Sequence, residues 1–292
     1  MISIVITIYN RENTIEAAIE SCLIQDFSHY EIILVDDGST DNSAHKVEKY
    51  LCNNVKYFYQ ENQGAAAAKN RGVAESQFEF VTFLDSDDMF SSPHTLGLIY
   101  EALRDNTDFV SFKQVVLRKK SGDVIRIDKQ VSNNVDMKKH MLYSPLNYAG
   151  HHPYTFRKKF FLQAGGFDTR SKWGDALIFW RRFFKQDIKY KIIHDIGYIY
   201  NQVDSNSLSR NRRSNYYLIA LDVILRCYEE NKYAIYAQKV EKIWQLIIFS
   251  YSIKTKNFRI ILKSFVSLLN GRFYYIPAAI NYLVKTVMLP TY

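Results

Sequence analysis

Cysteine is scarce. The 292-residue chain has three, Cys22, Cys52 and Cys227, far apart and odd in number. No metal-binding or redox spacing links them, which argues against a disulfide framework and fits a reducing, cytosolic setting. Long apolar runs are missing too. The best candidates, residues 243–253 and 273–284, fall short of the about 18 uncharged apolar residues a spanning helix needs, and the second contains Pro277 and Asn281. The first strand-like run starts right after Met1 with no basic leader or cleavage site before it, which argues against a signal peptide. There is no internal repeat and no low-complexity tract. No Gly-rich, Lys/Arg-containing triphosphate loop lies near the N-terminus, which speaks against a nucleotidyltransferase. No nucleic-acid recognition motif is present, so the net charge of +8 does not point to nucleic acid.

That charge is unevenly placed. Residues 210–292 hold 13 Lys/Arg and 4 Asp/Glu, a net +9, which leaves the first 209 residues near −1. The asymmetry suggests two functional regions, residues 1–210 and a basic helical region, 211–292. In the tail, Leu246, Ile247, Phe249, Ile260, Ile261, Phe265, Leu268 and Leu269 alternate with Lys254, Lys256, Arg259 and Lys263. Two readings stand for such helices: a peripheral layer on the anionic inner face of a cell membrane, or an appendage packed on protein. Hydrophobic content of 47% and charged content of 23% are ordinary for a globular chain. The aromatic share, 15%, is high, and most such rings are expected in core and interface.

The first half alternates strand and helix signals. Strands are expected at 2–8, 31–35, 55–59 and 79–84. Helices are expected from Asn13 to about 25, from Thr40 to about 51, and over 64–75. Helices of this length between short apolar strands indicate right-handed βαβ units and a parallel sheet. Beyond Pro93 the pattern predicts a helix to about 104, a hairpin of strands 108–117 and 124–131, an irregular stretch 132–157, helices at 158–164 and 175–185, and a strand at 190–200. From about 215 it is helical to the end.

Polar residues gather at the strand ends. Thr7, Tyr9, Asn10 and Arg11 follow the first strand, and Asp36-Asp37-Gly38-Ser39 the second. Asn62-Gln63-Gly64 and Lys69-Asn70-Arg71-Gly72 bracket the third helix, and Asp85-Ser86-Asp87-Asp88 follows the fourth strand. In a parallel sheet these ends line one crevice. Three carboxylates within four residues repel one another. Alone, the stretch reads equally as an acidic turn or as oxygen ligands for a hard divalent cation, Mg²⁺ or Mn²⁺.

The series resembles glycosyltransferase family 2, with its GT-A fold, over roughly residues 2–210. The segments that carry the resemblance are Ser3 to Asn10, Gln25-Asp26-Phe27, Glu31 to Asp41, Glu61 to Gly64, Lys69 to Gly72, Phe83 to Asp88, Ala164-Gly165-Gly166-Phe167-Asp168 and Gly174-Asp175-Ala176. The resemblance implies an α/β, Rossmann-like nucleotide-binding fold with a mixed, mainly parallel sheet flanked by helices. It implies an inverting, metal-dependent transfer of a sugar from a nucleotide donor, most often UDP-linked, to a hydroxyl of a glycan or polyprenyl-linked glycan, in a setting such as bacterial surface polysaccharide synthesis.

Residue by residue, it places Thr7 and Asp37 at the nucleobase, with Asp36 as the rival for the second role. It places Asp85 at the ribose and Asp87 at the cation, with Asp88 as alternative or second ligand. Lys69 stands where the family usually has Arg, so a point charge replaces a fork. Asp175 matches the catalytic base, although Gly174 replaces an acid common there; a helix cap is the plainer reading. Tyr9 beside the base, and His152 and Trp173 near donor or acceptor, are further candidate contacts, against ordinary loop and packing roles. Arg210, Arg212 and Arg213 either close over the diphosphate or form a solvated linker. A nucleotide- or carbohydrate-binding module with a dead site is the non-enzymatic alternative.

Overall fold

The computed structural model describes residues 1–118, 123–128, 154–170, 175–201, 221–227, 247–256, 258–259, 261–262 and 264. The chain divides into two compact units, one of Met1–Leu142 and Asn147–Ser207, the other of Tyr143–Leu146 and Leu208–Tyr292. In the second unit residues 221–227 and 247–254 are helical. No helix of the described residues is long and apolar enough to cross a membrane. Residues 119–122 of the hairpin turn expected over 119–123, most of the basic tail, His152, Trp173, Arg210, Arg212 and Arg213 lie outside the described residues.

The first unit starts with β1 (Ile2–Ile8), α1 (Ile15–Leu23), β2 (Tyr30–Asp36), α2 (Ser43–Glu48), β3 (Val55–Tyr59), α3 (Ala65–Glu75) and β4 (Phe80–Phe83). β1 pairs in parallel with both β2 and β4, and β2 with β3. There follow β5 (Met89–Phe90), α4 (Thr95–Leu103), β6 (Phe109–Arg118), β7 (Val124–Asp128), β8 (Tyr154–Arg157), α5 (Lys158–Gln163), α6 (Asp175–Phe184) and β9 (Tyr190–Asn201). Among the described residues these strands form one sheet in the order β3-β2-β1-β4-β8-β6-β9-β5, with β7 on β6. β8 is antiparallel to β4 and β6, whereas β9 is parallel to β6 and antiparallel to β5. The sheet is therefore mixed and mainly parallel in its first half, with helices around it, as the motifs imply.

Side-chain alternation explains the layers. Along β1, Val5 enters one core with Ile33, Val35 and Val81, while Ile4, Ile6 and Ile8 enter the other with Ile15, Ile19 and Leu34. A strand covered on both faces needs such continuous β-branched sequence. The first core is strongly aromatic: Phe83, Phe156, Phe161, Phe167, Phe179 and Trp180 pack there, with Phe167 and Phe179 centroids 4.5 Å apart. Much of the aromatic content thus packs as core.

Two strands escaped the sequence. β5 has two residues, and β8 lies in the stretch expected to be irregular. Both exist through partners remote in the chain, β9 for one and β4 and β6 for the other, so no local period announces them. Helix starts also shift. α1 begins at Ile15, and the N–H groups of Thr14 and Ile15 both donate to the Arg11 carbonyl at 3.0 Å rather than to an Asn13 side chain. α2 begins at Ser43 because Thr40 N–H and Asn42 N–H are bound to Asn10 and Glu12 across the neighbouring loop.

Near the start of the strands a buried polar cluster joins the layers. Glu31 Oε1 accepts from Ser3 Oγ at 2.7 Å and Gln77 N–H at 2.6 Å, and Oε2 accepts from Lys56 Nζ at 3.0 Å. Burial pushes this carboxyl up, but the Gln77 N–H, Ser3 and Lys56 together hold it below its usual range. Its stabilising contribution is present above the unfolded value of about 4.3 and is lost as pH falls through the depressed folded value. Glu31→Gln keeps the Ser3 and Gln77 contacts and turns a donor toward Lys56. We expect a lower melting temperature at pH 7 and a flatter loss of stability below pH 4 than in the wild type, measured by thermal denaturation against pH.

Helix α3 approaches β1 through Gly72. A Cβ there would lie 2.2 Å from Val5 Cγ1. Helix propensity alone favours Gly→Ala by about 1 kcal/mol, whereas overpacking costs about 1–3 kcal/mol. Gly72→Ala is therefore expected to lower stability in chemical denaturation, and a more stable variant would refute this close packing.

Candidate functional site

Parallel pairing brings the C-terminal ends of β1, β2 and β4 side by side, and the polar residues of the sequence series collect there. The ladders continue past the strands: Asp37 N–H donates to Ile8 O at 2.8 Å and Leu84 N–H to Val5 O at 3.1 Å. Thr7 is half-buried near the end of β1, and Tyr9 just beyond is 48% exposed.

The two acids after β2 do different work. Asp36 accepts from Ser39 N–H and from Tyr57 Oη, both at 2.7 Å. Burial, then the Asp36 contact, pushes the Tyr57 phenol up. Asp37, 4% exposed, accepts from Gln60 Nε2 at 2.7 Å and Gln63 N–H at 2.9 Å through Oδ1, and from Gly64 N–H at 2.8 Å through Oδ2. It binds the entry to α3, where a helix N-terminus favours negative charge. A carboxylate has about four lone-pair sites, so these three bonds do not exhaust it.

A reciprocal lock joins the loops after β1 and β2. Asn10 N–H donates to Ser39 Oγ at 3.0 Å, Arg11 N–H to Ser43 Oγ at 2.7 Å and Glu12 N–H to Asp41 Oδ2 at 3.1 Å. In return Asn10 Oδ1 accepts from Thr40 N–H at 2.8 Å. Asn10 holds φ at +53°, a conformation Asn tolerates better than most residues.

After β4, Asp85 Oδ1 lies 3.3 Å from Lys69 Nζ of α3, and the same ammonium sits 5.7 Å and 5.9 Å from the Phe83 and Phe167 ring centroids. Lys69 and Asp85 are brought together as a pair. Asp88 N–H closes a turn onto Asp85 O at 2.9 Å. Asp88 is 1% exposed, and its Oδ1 accepts from Asn201 N–H at 3.0 Å, while Asn201 Nδ2 donates to the Asp87 carbonyl at 2.8 Å. Burial, then the charges of Asp85 and Asp87, raises the Asp88 carboxyl well above the usual range. Asn201, at the end of β9, is a site residue that no local sequence signal marks.

A second tie holds Phe167 to α3. Asn70 of α3 donates from Nδ2 to Phe167 O at 2.9 Å and accepts at Oδ1 from Phe167 N–H at 2.8 Å. Gly166 turns at φ +66°, and a Cβ there would meet Asn70 Oδ1 at 2.7 Å. Helix α6, which Asp175 leads, is anchored in the aromatic core by Phe179, Trp180 and Phe183.

The residues fit a hard divalent cation. Close carboxylates want a countercharge, and the buried amide oxygen of Asn201 accepts no hydrogen bond among the described residues. Among those residues no three His, Cys, Asp or Glu side chains are arranged to hold a metal. A cation here would draw on one or two carboxylates, with water and substrate phosphates completing its shell, the usual habit of Mg²⁺.

Comparison with known proteins agrees with this geometry. The profile described as "Glycosyl transferase family 2" matches residues 3–169. The chain is 44% identical over 92 residues to the glycosyltransferase GlyG of Streptococcus pneumoniae serotype 4, covering 30% of this chain and 31% of that protein. It is 37% identical over 111 residues to the cholesterol galactosyltransferase of Borreliella burgdorferi, covering 37% and 31%. Matches to the curated relatives span 13–38% of their lengths. Among solved structures, S. aureus TarS 1-349 in complex with UDP-GlcNAc superposes with a TM-score of 0.69 at 19% identity, covering 95% of this chain and 83% of that one. The mannosyltransferase PcManGT of Pyrobaculum calidifontis, in complex with GDP-Man and Mn²⁺, gives 0.60 at 16% identity, covering 99% and 81%. The fold is that of GT-A glycosyltransferases.

If Asp37 holds the entry to α3, Asp37→Ala strands three donors. We expect about 1–3 kcal/mol of lost stability and faster amide hydrogen exchange at Gln63 and Gly64. Unchanged exchange at both amides would show that the carboxylate does not hold this segment.

Proposed function

The chain belongs to glycosyl transferase family 2, and from that membership we propose that it is an inverting enzyme moving a sugar from a UDP-linked donor to a hydroxyl of a glycan or lipid-linked glycan, in the building of a bacterial surface polysaccharide. The observation that carries the reading is the row formed by Thr7, Asp37 and the Asp85–Asp88 loop along the ends of parallel strands β1, β2 and β4. Thr7 and Asp37 take the nucleobase, with Tyr9 at its edge, and Asp85 with Lys69 takes the ribose and phosphate side. Asp87, backed by Asp88, holds Mn²⁺ or Mg²⁺. When bound, the cation offsets the charge of the departing diphosphate.

Asp175 is the base. It takes the proton of the acceptor hydroxyl as that oxygen attacks the anomeric carbon. The new C–O bond forms on the face opposite the breaking bond to the diphosphate, which inverts the configuration. His152 and Trp173 are the contacts proposed for donor or acceptor. The basic region, residues 211–292, is proposed to rest on an anionic membrane surface, which would bring a lipid-linked acceptor within reach. The UDP-GlcNAc of the TarS complex and the Mn²⁺ of the PcManGT complex support the donor class and the cofactor by analogy.

A thermal-shift panel of nucleotide sugars with and without Mn²⁺ tests the donor and cation. We expect stabilisation by a UDP-sugar that depends on the metal, of about 2.7 kcal/mol at a hundred times the Kd. Asp175→Asn is expected to lower kcat by about 10²–10⁴ with donor stabilisation intact. Full turnover by that variant would remove Asp175 from the base role. Donor binding without any transfer or hydrolysis by the wild type would favour a binding module.

A further inference from the structure

We propose that Asn201 is a positioning residue of the cation site, tying the acidic loop to the end of β9 and presenting a neutral oxygen toward the cation's water shell. The proposal rests on the cation reading of Asp87. Asn201 reaches two consecutive loop residues: its N–H donates to Asp88 Oδ1 at 3.0 Å and its Nδ2 to the Asp87 carbonyl at 2.8 Å. Its remaining polar atom, Oδ1, is buried and accepts no hydrogen bond among the described residues. Buried polar atoms are nearly always paired, and the exceptions point to a water, an ion or a functional role.

The surrounding chain makes Asn201 the last fastening of a seam. On one side the loop leaves the β1 ladder at Leu84. On the other, Met89 and Phe90 pair with Ile199 and Tyr198, and Ser91 N–H and Oγ donate to Gly197 O and Ile196 O at 3.3 and 2.6 Å. Between these anchors stand Asp85, Asp87 and Asp88, three carboxyl groups within four residues. A Lys or Arg at position 201 would hold the loop by neutralising it, and would compete with a cation for the same charge. An amide holds Asp87 through its backbone and Asp88 through the strand N–H, and leaves the net negative charge in place. Groups of this kind, which orient ligands without being the main ligands, typically change metal affinity strongly when removed.

The test is Mn²⁺ binding itself, read from the electron paramagnetic resonance signal of free Mn²⁺ during titration into the full chain in the presence of UDP, against a UDP-alone control. Four proteins are compared: wild type, Asn201→Ala, Asn201→Thr and Asp87→Asn, each verified as folded by circular dichroism. Threonine suits a strand and keeps the backbone N–H, so it carries the measurement if the alanine variant does not fold. We expect both Asn201 variants to weaken Mn²⁺ binding by about 10- to 100-fold. A merely structural role would lower the melting temperature and leave the Mn²⁺ Kd of the folded protein unchanged. If Asp87→Asn abolishes binding while both Asn201 variants bind as the wild type does, the role of Asn201 is refuted and the cation site stands. If the wild type binds no Mn²⁺, or Asp87→Asn binds it unchanged, the cation reading falls and this inference with it.

Discussion

Parallel pairing of β1 with β2 and β4 is the constraint on which the site depends. Antiparallel neighbours would send alternate strand ends to opposite edges of the sheet. Parallel neighbours send every C-terminal end to one edge, and the residues that follow Ile8, Asp36 and Phe83 become adjacent there. The pairing in turn requires crossover helices on both faces, hence two cores and strands buried on both sides. The sharply aromatic packing around α3, α5 and α6 and the tight Gly72–Val5 contact keep those crossovers in place.

Gathering acids at one edge creates a charge problem, and the two halves of the edge solve it differently. Asp36 and Asp37 are satisfied by backbone N–H groups, Gln60 and Tyr57, so their charge is spread into loops that it organises. Asp85 has the Lys69 ammonium. Asp88 has the Asn201 N–H, yet burial and its two acidic neighbours still disfavour its ionised form. Asn70 joins α3 to the turn at Gly166 and Phe167, so α3 serves both the Asp85 side and that turn.

The sequence by itself determined the βαβ half, the placement of Thr7, Asp37, Lys69 and the Asp85–Asp88 loop, and the family they announce. Each of these signals is local: an apolar run closed by polar residues, a glycine after a helix, a motif a few residues long. Local periodicity and spacing survive in a linear chain because the physics that sets them acts over one turn or one strand. Only the tertiary structure decided the rest. β5 and β8 exist because remote strands complete their hydrogen bonding. Lys69 pairs with Asp85 because α3 packs over β1 and β2, beside β4, and Asp37 is a loop anchor because the entry to α3 closes over it. Asn201 stands 113 residues from Asp88, on a strand whose sequence carries no mark of the site. Contacts at that separation are fixed by the order of strands in the sheet, which depends on packing of the whole unit and is written in no single stretch of the chain.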